Sequence, residues 1–229
     1  MSTRNHSPIL VLLCSTFLLT YCHAQHMTLY SSDRIVFFGD SITEQGEQPG
    51  GYVALLRDTL ATTLPGITIV NAGISGNRVP QLQERLDRDV LSQKPTVVVI
   101  YIGINDVWHF EKRGTGTSKD QYEAGLRDVV SRIQKTGARV VLCTPSVIGE
   151  QHHGNNKFDT VLDEYSRITH GIAKDLGARL CNLRQAFVEY LSAHNPANKE
   201  EGILTHDSVH LNDRGNRLVA ETVLKSLSE

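Results

Sequence analysis

Gly39-Asp40-Ser41 and, far downstream, Asp207-Ser208-Val209-His210 carry the residue types of a nucleophile and its activator. A serine hydroxyl needs a base to become nucleophilic, and the base needs a carboxylate to fix its tautomer. An Asp and a His three apart can meet on one side of a turn. Either half alone is ordinary, since a serine after a strand often caps a helix and a lone Asp-x-x-His suits a capping Asp beside a surface His. Two further residues point the same way. Asn105, in Gly103-Ile104-Asn105-Asp106, offers a side-chain amide. Gly76 offers a backbone N–H, and Ser41 can add its own amide. Convergent donors of this kind hold the negative oxygen of an acyl-transfer intermediate. Taken singly, Gly76-Asn77 and Asn105-Asp106 are also common turn chemistry.

These residues need a frame that brings them together. Arg34–Phe38, Thr68–Val70, Thr96–Ile102, Arg139–Cys143 and Ala178–Cys181 are short apolar runs rich in β-branched residues, the pattern of buried parallel strands. Helical spacing fills the segments between: Tyr52–Leu64, Pro80–Leu91, Lys119–Thr136 and Phe158–Leu176. Arg184–His194 and Asn212–Leu227 add two closing helices, the last capped by Asn212 or Asp213. Regular alternation of strand and helix predicts a three-layer α/β sandwich around a five-stranded parallel sheet. In such sheets sites form beyond the carboxyl ends of the strands. Ser41, Gly76 and Asn105 follow the first, second and third strands, so all three emerge on one edge. The loop Pro196–His206 is long enough to return Asp207 and His210 to that edge.

The 229 residues, 40% hydrophobic and 21% charged, suit one globular domain, with net charge −2 and no sustained basic run. Neither nucleic acid nor an anionic membrane is an expected partner. Residues 1–24 read as a secretory signal: Arg4 and His6, an apolar segment Ile9–Leu19, then a small-x-small site ending at Ala24. The apolar segment falls short of the about 20 residues that cross a bilayer, so the expectation is a secreted or periplasmic domain over 25–229 with no stable membrane insertion. Lipid attachment at Cys22 is disfavoured by Thr20 and Tyr21 before it. Cys143 and Cys181 remain in the mature chain, as buried thiols or as a disulfide. Oligomeric state is not legible.

The four blocks, taken in order, resemble the SGNH hydrolases, also called GDSL esterases and lipases. Gly39-Asp40-Ser41 matches the serine block with Ile42 in place of the usual leucine, and Gly76 falls in the glycine block. Gly103-Ile104-Asn105-Asp106 fits Gly-x-Asn-Asp, and Asp207-Ser208-Val209-His210 fits Asp-x-x-His. The resemblance implies a flavodoxin-like sandwich and ester hydrolysis. It makes Ser41 the nucleophile, His210 the base, Asp207 its orienter, and Ser41, Gly76 and Asn105 the oxyanion donors, with Asp40 and Asp106 bracing their loops.

The expected substrates are short acyl esters, acetyl groups on carbohydrate among them. The loops 44–50, 107–117 and 144–156 are expected to line the pocket and to supply Trp108, Phe110, His109 and Glu150. Acyl transfer to a sugar hydroxyl and noncatalytic carbohydrate binding are the alternatives. His206 and His210 flank Asp207 in the manner of a metal pair, but no third ligand is suggested elsewhere. Neither metal nor cofactor is expected, and His152-His153 reads as a solvated rim.

Overall fold

A computed structural model describes residues 27–228, with the side chains of 111–113 left aside. The proposed signal segment therefore lies outside the described residues. Five strands, β1 (Arg34–Gly39), β2 (Thr68–Gly73), β3 (Val97–Tyr101), β4 (Arg139–Cys143) and β5 (Arg179–Cys181), form one sheet of order β2-β1-β3-β4-β5. Every pairing is parallel. This is the flavodoxin-like order, in which the chain reverses direction between β1 and β3. The α/β sandwich with a five-stranded parallel sheet stands as expected.

Among the described residues the α-helices are α1 (Ser41–Gln45), α2 (Tyr52–Thr63), α3 (Val79–Asp89), α4 (Ile104–Arg113), α5 (Lys119–Gln134), α6 (Asp159–Leu176), α7 (Leu183–His194) and α8 (Asp213–Ser228). α3, α5 and α6 pack one against the next, and α2, α8 and α7 form a second such row. Residues 35–38 of β1 and all of β3 are buried, as strands covered on both faces must be. The caps follow local chemistry. Ser118 and Gln121 form a capping box at α5, Gly177 ends α6 in the left-handed region, and Asn212 accepts the amides of Arg214 and Gly215 at the start of α8.

Two helices depart from expectation. α1 is a single turn that starts at Ser41 itself, too short for periodicity to reveal. α4 occupies most of the 107–117 stretch expected as a loop, because Ile104 and Val107 bury one side of it. Close packing at the sheet edge depends on glycine. A Cβ on Gly39 would collide with Thr43 Oγ1 and the Tyr101 carbonyl, and one on Gly73 with the Glu44 amide. The absence of these side chains lets α1 lie directly on the ends of β1 and β2.

Candidate active site

β1 delivers Gly39 in register with Gly73 on one side and Tyr101 on the other, so the three following turns share one edge. Asp40 caps α1, its Oδ1 accepting the Ile42 amide at 3.0 Å. Ser41 thereby becomes the first residue of the helix, where its N–H has no intrahelical acceptor. Its side chain meets the loop that follows α7: His210 Nε2 lies 2.9 Å from Ser41 Oγ, and His210 Nδ1 lies 2.7 Å from Asp207 Oδ2. The other carboxylate oxygen of Asp207 accepts the amides of His210 at 2.7 Å and Val209 at 3.2 Å. Burial alone would raise the Asp207 pKa, but the His210 ring, its charge and these amides hold it below the ordinary value. An anionic Asp207 suits a role as acceptor for Nδ1–H.

Asn105 stands at the start of α4, 6% exposed. Its Nδ2 donates to the Asn77 carbonyl at 3.2 Å and reaches Asp40 Oδ2 at 3.5 Å. The side chain is thus tied both to the glycine loop and to the residue before Ser41. Gly76 sits in that loop with φ +76°, in the turn closed by Asn77 N–H to the Ile74 carbonyl at 3.2 Å. His210 thus meets both Ser41 and Asp207, while Asn105 is tied to Asp40, the residue before Ser41, and to the Asn77 carbonyl, one residue from Gly76.

Asp40 and Asp106 are buried close to one another. Burial pushes Asp40 up to about 7 against the pull of the Ile42 amide, and Asp106 adds to the rise. Burial likewise lifts Asp106 to about 6, although the Thr117 hydroxyl and the Val79 amide, 3.1 Å from Oδ1, favour its charge. The sign for stability follows. Between the unperturbed 3.8 and about 7, the folded chain keeps a proton on Asp40 that the unfolded chain has lost, so this group's contribution falls as pH rises. Asp40→Asn should remove that penalty. In urea unfolding at pH 4 and pH 8, the variant should gain on the wild type with rising pH, by on the order of 4 kcal/mol at most. Parallel pH dependences in the two proteins would contradict this.

Two buried charges hold the site's loops, and neither was singled out for that part. Arg85 stacks over the Phe38 ring at 4.5 Å and donates to the Gly39 carbonyl at 2.8 Å, the Ala72 carbonyl at 2.8 Å and Asn77 Oδ1 at 2.6 Å. It fastens the ends of β1 and β2 to the glycine loop. The available signal was an arginine on the apolar Leu82–Leu86 face of α3. Glu150, expected on the pocket wall, is instead fully buried. Its carboxylate accepts the amides of Ile203 at 2.7 Å and Leu204 at 2.6 Å, the Thr205 hydroxyl at 2.8 Å, and the Thr205 amide. It anchors the strand of chain that leads into Asp207.

The two aromatic candidates separate. Trp108 borders a hollow of about 310 Å³ beside Asp207 and Ser208, shared with Gln151, Asn155 and Lys157. Phe110, 45% exposed, borders a different hollow with Lys119, Val161 and Glu164. The helical course of α4 places these two side chains apart, so Phe110 is not assembled with the Ser41 cluster. His152 and His153 pair with the Asn195 carbonyl at 2.7 Å and Asp163 at 2.8 Å. Cys143 and Cys181, register partners on β4 and β5, are free and buried. Among the described residues no helix is long and apolar enough to cross a membrane.

Known proteins resemble this chain over most of its length. The model of the GDSL-like lipase/acylhydrolase family matches residues 37–218. An acetylxylan esterase of Geobacillus stearothermophilus is 34% identical over 88% of this chain and 96% of its own length. The isoamyl acetate-hydrolyzing esterase 1 homolog of Mus musculus is 28% identical over 81% of this chain and 78% of its own. The crystal structure of an acetyl xylan esterase, AlAXEase, superposes with a TM-score of 0.82 at 42% identity, covering 85% of this chain and 99% of that one. With a family match running from β1 into α8, and relatives that are esterases by name, the chain belongs to the GDSL-like lipase/acylhydrolase family and is a carboxylic ester hydrolase.

Proposed function

We propose that this enzyme removes acetyl and other short acyl groups from acetylated carbohydrate through Ser41, His210 and Asp207. The observation that carries this reading is the His210 ring bridging Ser41 Oγ at 2.9 Å and Asp207 Oδ2 at 2.7 Å. Ser41 Oγ attacks the ester carbonyl while its proton passes to His210 Nε2. The carbonyl oxygen gains the charge and is held by the amides of Ser41 and Gly76 and by Asn105 Nδ2. Collapse expels the sugar hydroxyl, which takes the proton from Nε2, and leaves an acyl-serine. Water then repeats the sequence and frees the acid. Asp207 keeps Nδ1 protonated and Nε2 open throughout.

The substrate class rests on the similarity to acetylxylan esterases and on the character of the hollow beside Asp207. There Trp108 lines the hollow with amides and a lysine, residue types that can stack on and hydrogen-bond a sugar. Export of the mature domain rests on residues 1–24 alone. The direct test is acetate release from acetylated xylo-oligosaccharides, set beside p-nitrophenyl acetate, butyrate and octanoate. Faster cleavage of octanoate than acetate would overturn the short-acyl assignment. Acetyl appearing on an added acceptor sugar instead of as free acetate would make the enzyme a transferase.

The oxyanion role of Asn105 gives a separate expectation. Asn105→Ala should lower kcat about 100- to 1,000-fold with KM little changed, since the lost bond forms fully only on the charged oxygen. A fall confined to KM would assign Asn105 to substrate binding instead.

A further inference from the structure

His206, Asp207 and His210 offer three donor atoms that lie within 4.8 Å of one another. They sit on a short hairpin-like turn. The His206 amide donates to the His210 carbonyl at 3.0 Å, Thr205 and Leu211 form an antiparallel bridge, and Ser208 takes φ +69° at the bend. This brings the two imidazoles onto one side, stacked with centroids 5.9 Å apart and planes 24° from parallel. His206 Nε2 is 4.0 Å from Asp207 Oδ2, the oxygen that also faces His210 Nδ1 at 2.7 Å. The His206 and Asp207 side chains are 57% and 46% exposed, open to solutes from the bulk.

We propose that this turn is an inhibitory site for a divalent transition-metal ion of the zinc type, bound by His206 Nε2, Asp207 Oδ2 and His210 Nδ1. Tetrahedral zinc with bonds of about 2.0–2.1 Å sets its donors about 3.3 Å apart, and the present separations of 2.7 and 4.0 Å bracket that spacing. With all three donors already within 4.8 Å of one another, small side-chain rotations close the set, and water fills the fourth position. Two imidazoles and a carboxylate favour zinc over the hard cations calcium and magnesium, which prefer all-oxygen sites.

Inhibition follows from the tautomer. The metal takes the Nδ1 lone pair, so the Nδ1 proton is lost to water and the ring takes one from water at Nε2, with no net proton change. Nε2–H then donates to Ser41 Oγ and can no longer accept its proton. The metal thus competes with the very hydrogen bond that keeps the base competent. The inhibitory half of the proposal rests on the Ser41–His210–Asp207 reading; binding itself does not.

Binding and activity are therefore measured separately. Zinc chloride is titrated into the wild-type protein and into His206→Phe by calorimetry, and p-nitrophenyl acetate turnover is followed with zinc, calcium or magnesium, then after EDTA. Phenylalanine keeps the stacked ring and the backbone bond but removes the ligand nitrogen. The expected result is stoichiometric zinc binding to the wild type with loss of turnover that EDTA reverses, and no effect of calcium or magnesium. In His206→Phe, the zinc concentration for half-binding and half-inhibition should rise at least about tenfold, with metal-free turnover unchanged. Equal zinc sensitivity in both proteins, or no calorimetric binding to the wild type, would overturn the site. Binding that depends on His206 but leaves turnover intact would overturn the inhibitory mechanism while leaving ester hydrolysis itself to the substrate assays.

Discussion

The Ser41→Ala protein is expected to turn over acetate esters with kcat lowered about 10⁴- to 10⁶-fold, while its thermal midpoint stays within a few degrees of the wild type. The size of the loss follows from what one oxygen does. Ser41 Oγ is the atom 2.9 Å from His210 Nε2, and without it the ring can only activate water that nothing holds in line. The proposed oxyanion donors and the substrate pocket remain, so a residual rate above that of free water should persist. Stability should hardly move, because the cap of α1 is Asp40 and not Ser41: the Ile42 amide bonds to Asp40 Oδ1 at 3.0 Å. This separates a nucleophile from a mere helix-start serine. A helix-start role would predict a modest loss of stability and intact turnover. Retention of more than about a tenth of wild-type kcat would remove Ser41 from the chemistry. A time course with quenched wild-type enzyme should show an acyl adduct on Ser41, absent in the variant.

Most of the frame could be read before the structure because burial on both faces leaves a plain mark. β1 and β3 are continuous runs of Val, Ile and Phe, and their helices carry an apolar stripe, so type and order of elements follow from periodicity. The β-branched signal of β2 covers only Thr68–Val70, but the strand extends to Gly73, since Asn71-Ala72-Gly73 lack that signal yet pair in register with β1. α4 was hidden for a related reason: it begins at Gly-x-Asn-Asp, whose local chemistry is that of a turn, and only packing of Ile104 and Val107 decides for helix. That one difference moved Phe110 away from the pocket it was expected to line.

The candidate site was legible as blocks taken in order: Ser41 and Asn105 follow strands, Asp207 and His210 lie between the last two helices, and together these residue types have few other joint uses. What escaped were residues whose role depends on tertiary partners. Arg85 is buried against the carbonyls of Gly39 and Ala72 at the ends of β1 and β2, and Glu150, expected on the pocket wall, is buried against the amides of Ile203 and Leu204. Nothing in the spacing of Glu150 and Thr205, 55 residues apart, could announce that they bond.

Asp207→Asn should cost nearly as much as the loss of the serine, about 10⁴-fold in kcat, although it changes only an oxygen to an NH₂ group. The reason lies in how the two carboxylate oxygens are used. Oδ1 is claimed by the amides of Val209 and His210, at 3.2 and 2.7 Å, and both are donors. An asparagine must keep its carbonyl oxygen there and therefore turns its NH₂ toward His210 Nδ1. Nδ1 then becomes an acceptor, its proton moves to Nε2, and Nε2–H faces Ser41 Oγ with no lone pair to receive a proton. The turn keeps its backbone bonds, so the fold should survive at neutral pH. The pH dependence of stability should distinguish the two proteins. In the wild type, Asp207 is held below its ordinary pKa, so its contribution is full above the unfolded value and fades as pH falls through the folded one. Asparagine has no such dependence, and the gap in stability between the two should narrow on acidification. Measured kcat within tenfold of the wild type, with the histidine still able to accept the serine proton, would mean that the ring is oriented by its stacking and backbone contacts alone and that Asp207 is dispensable to the base.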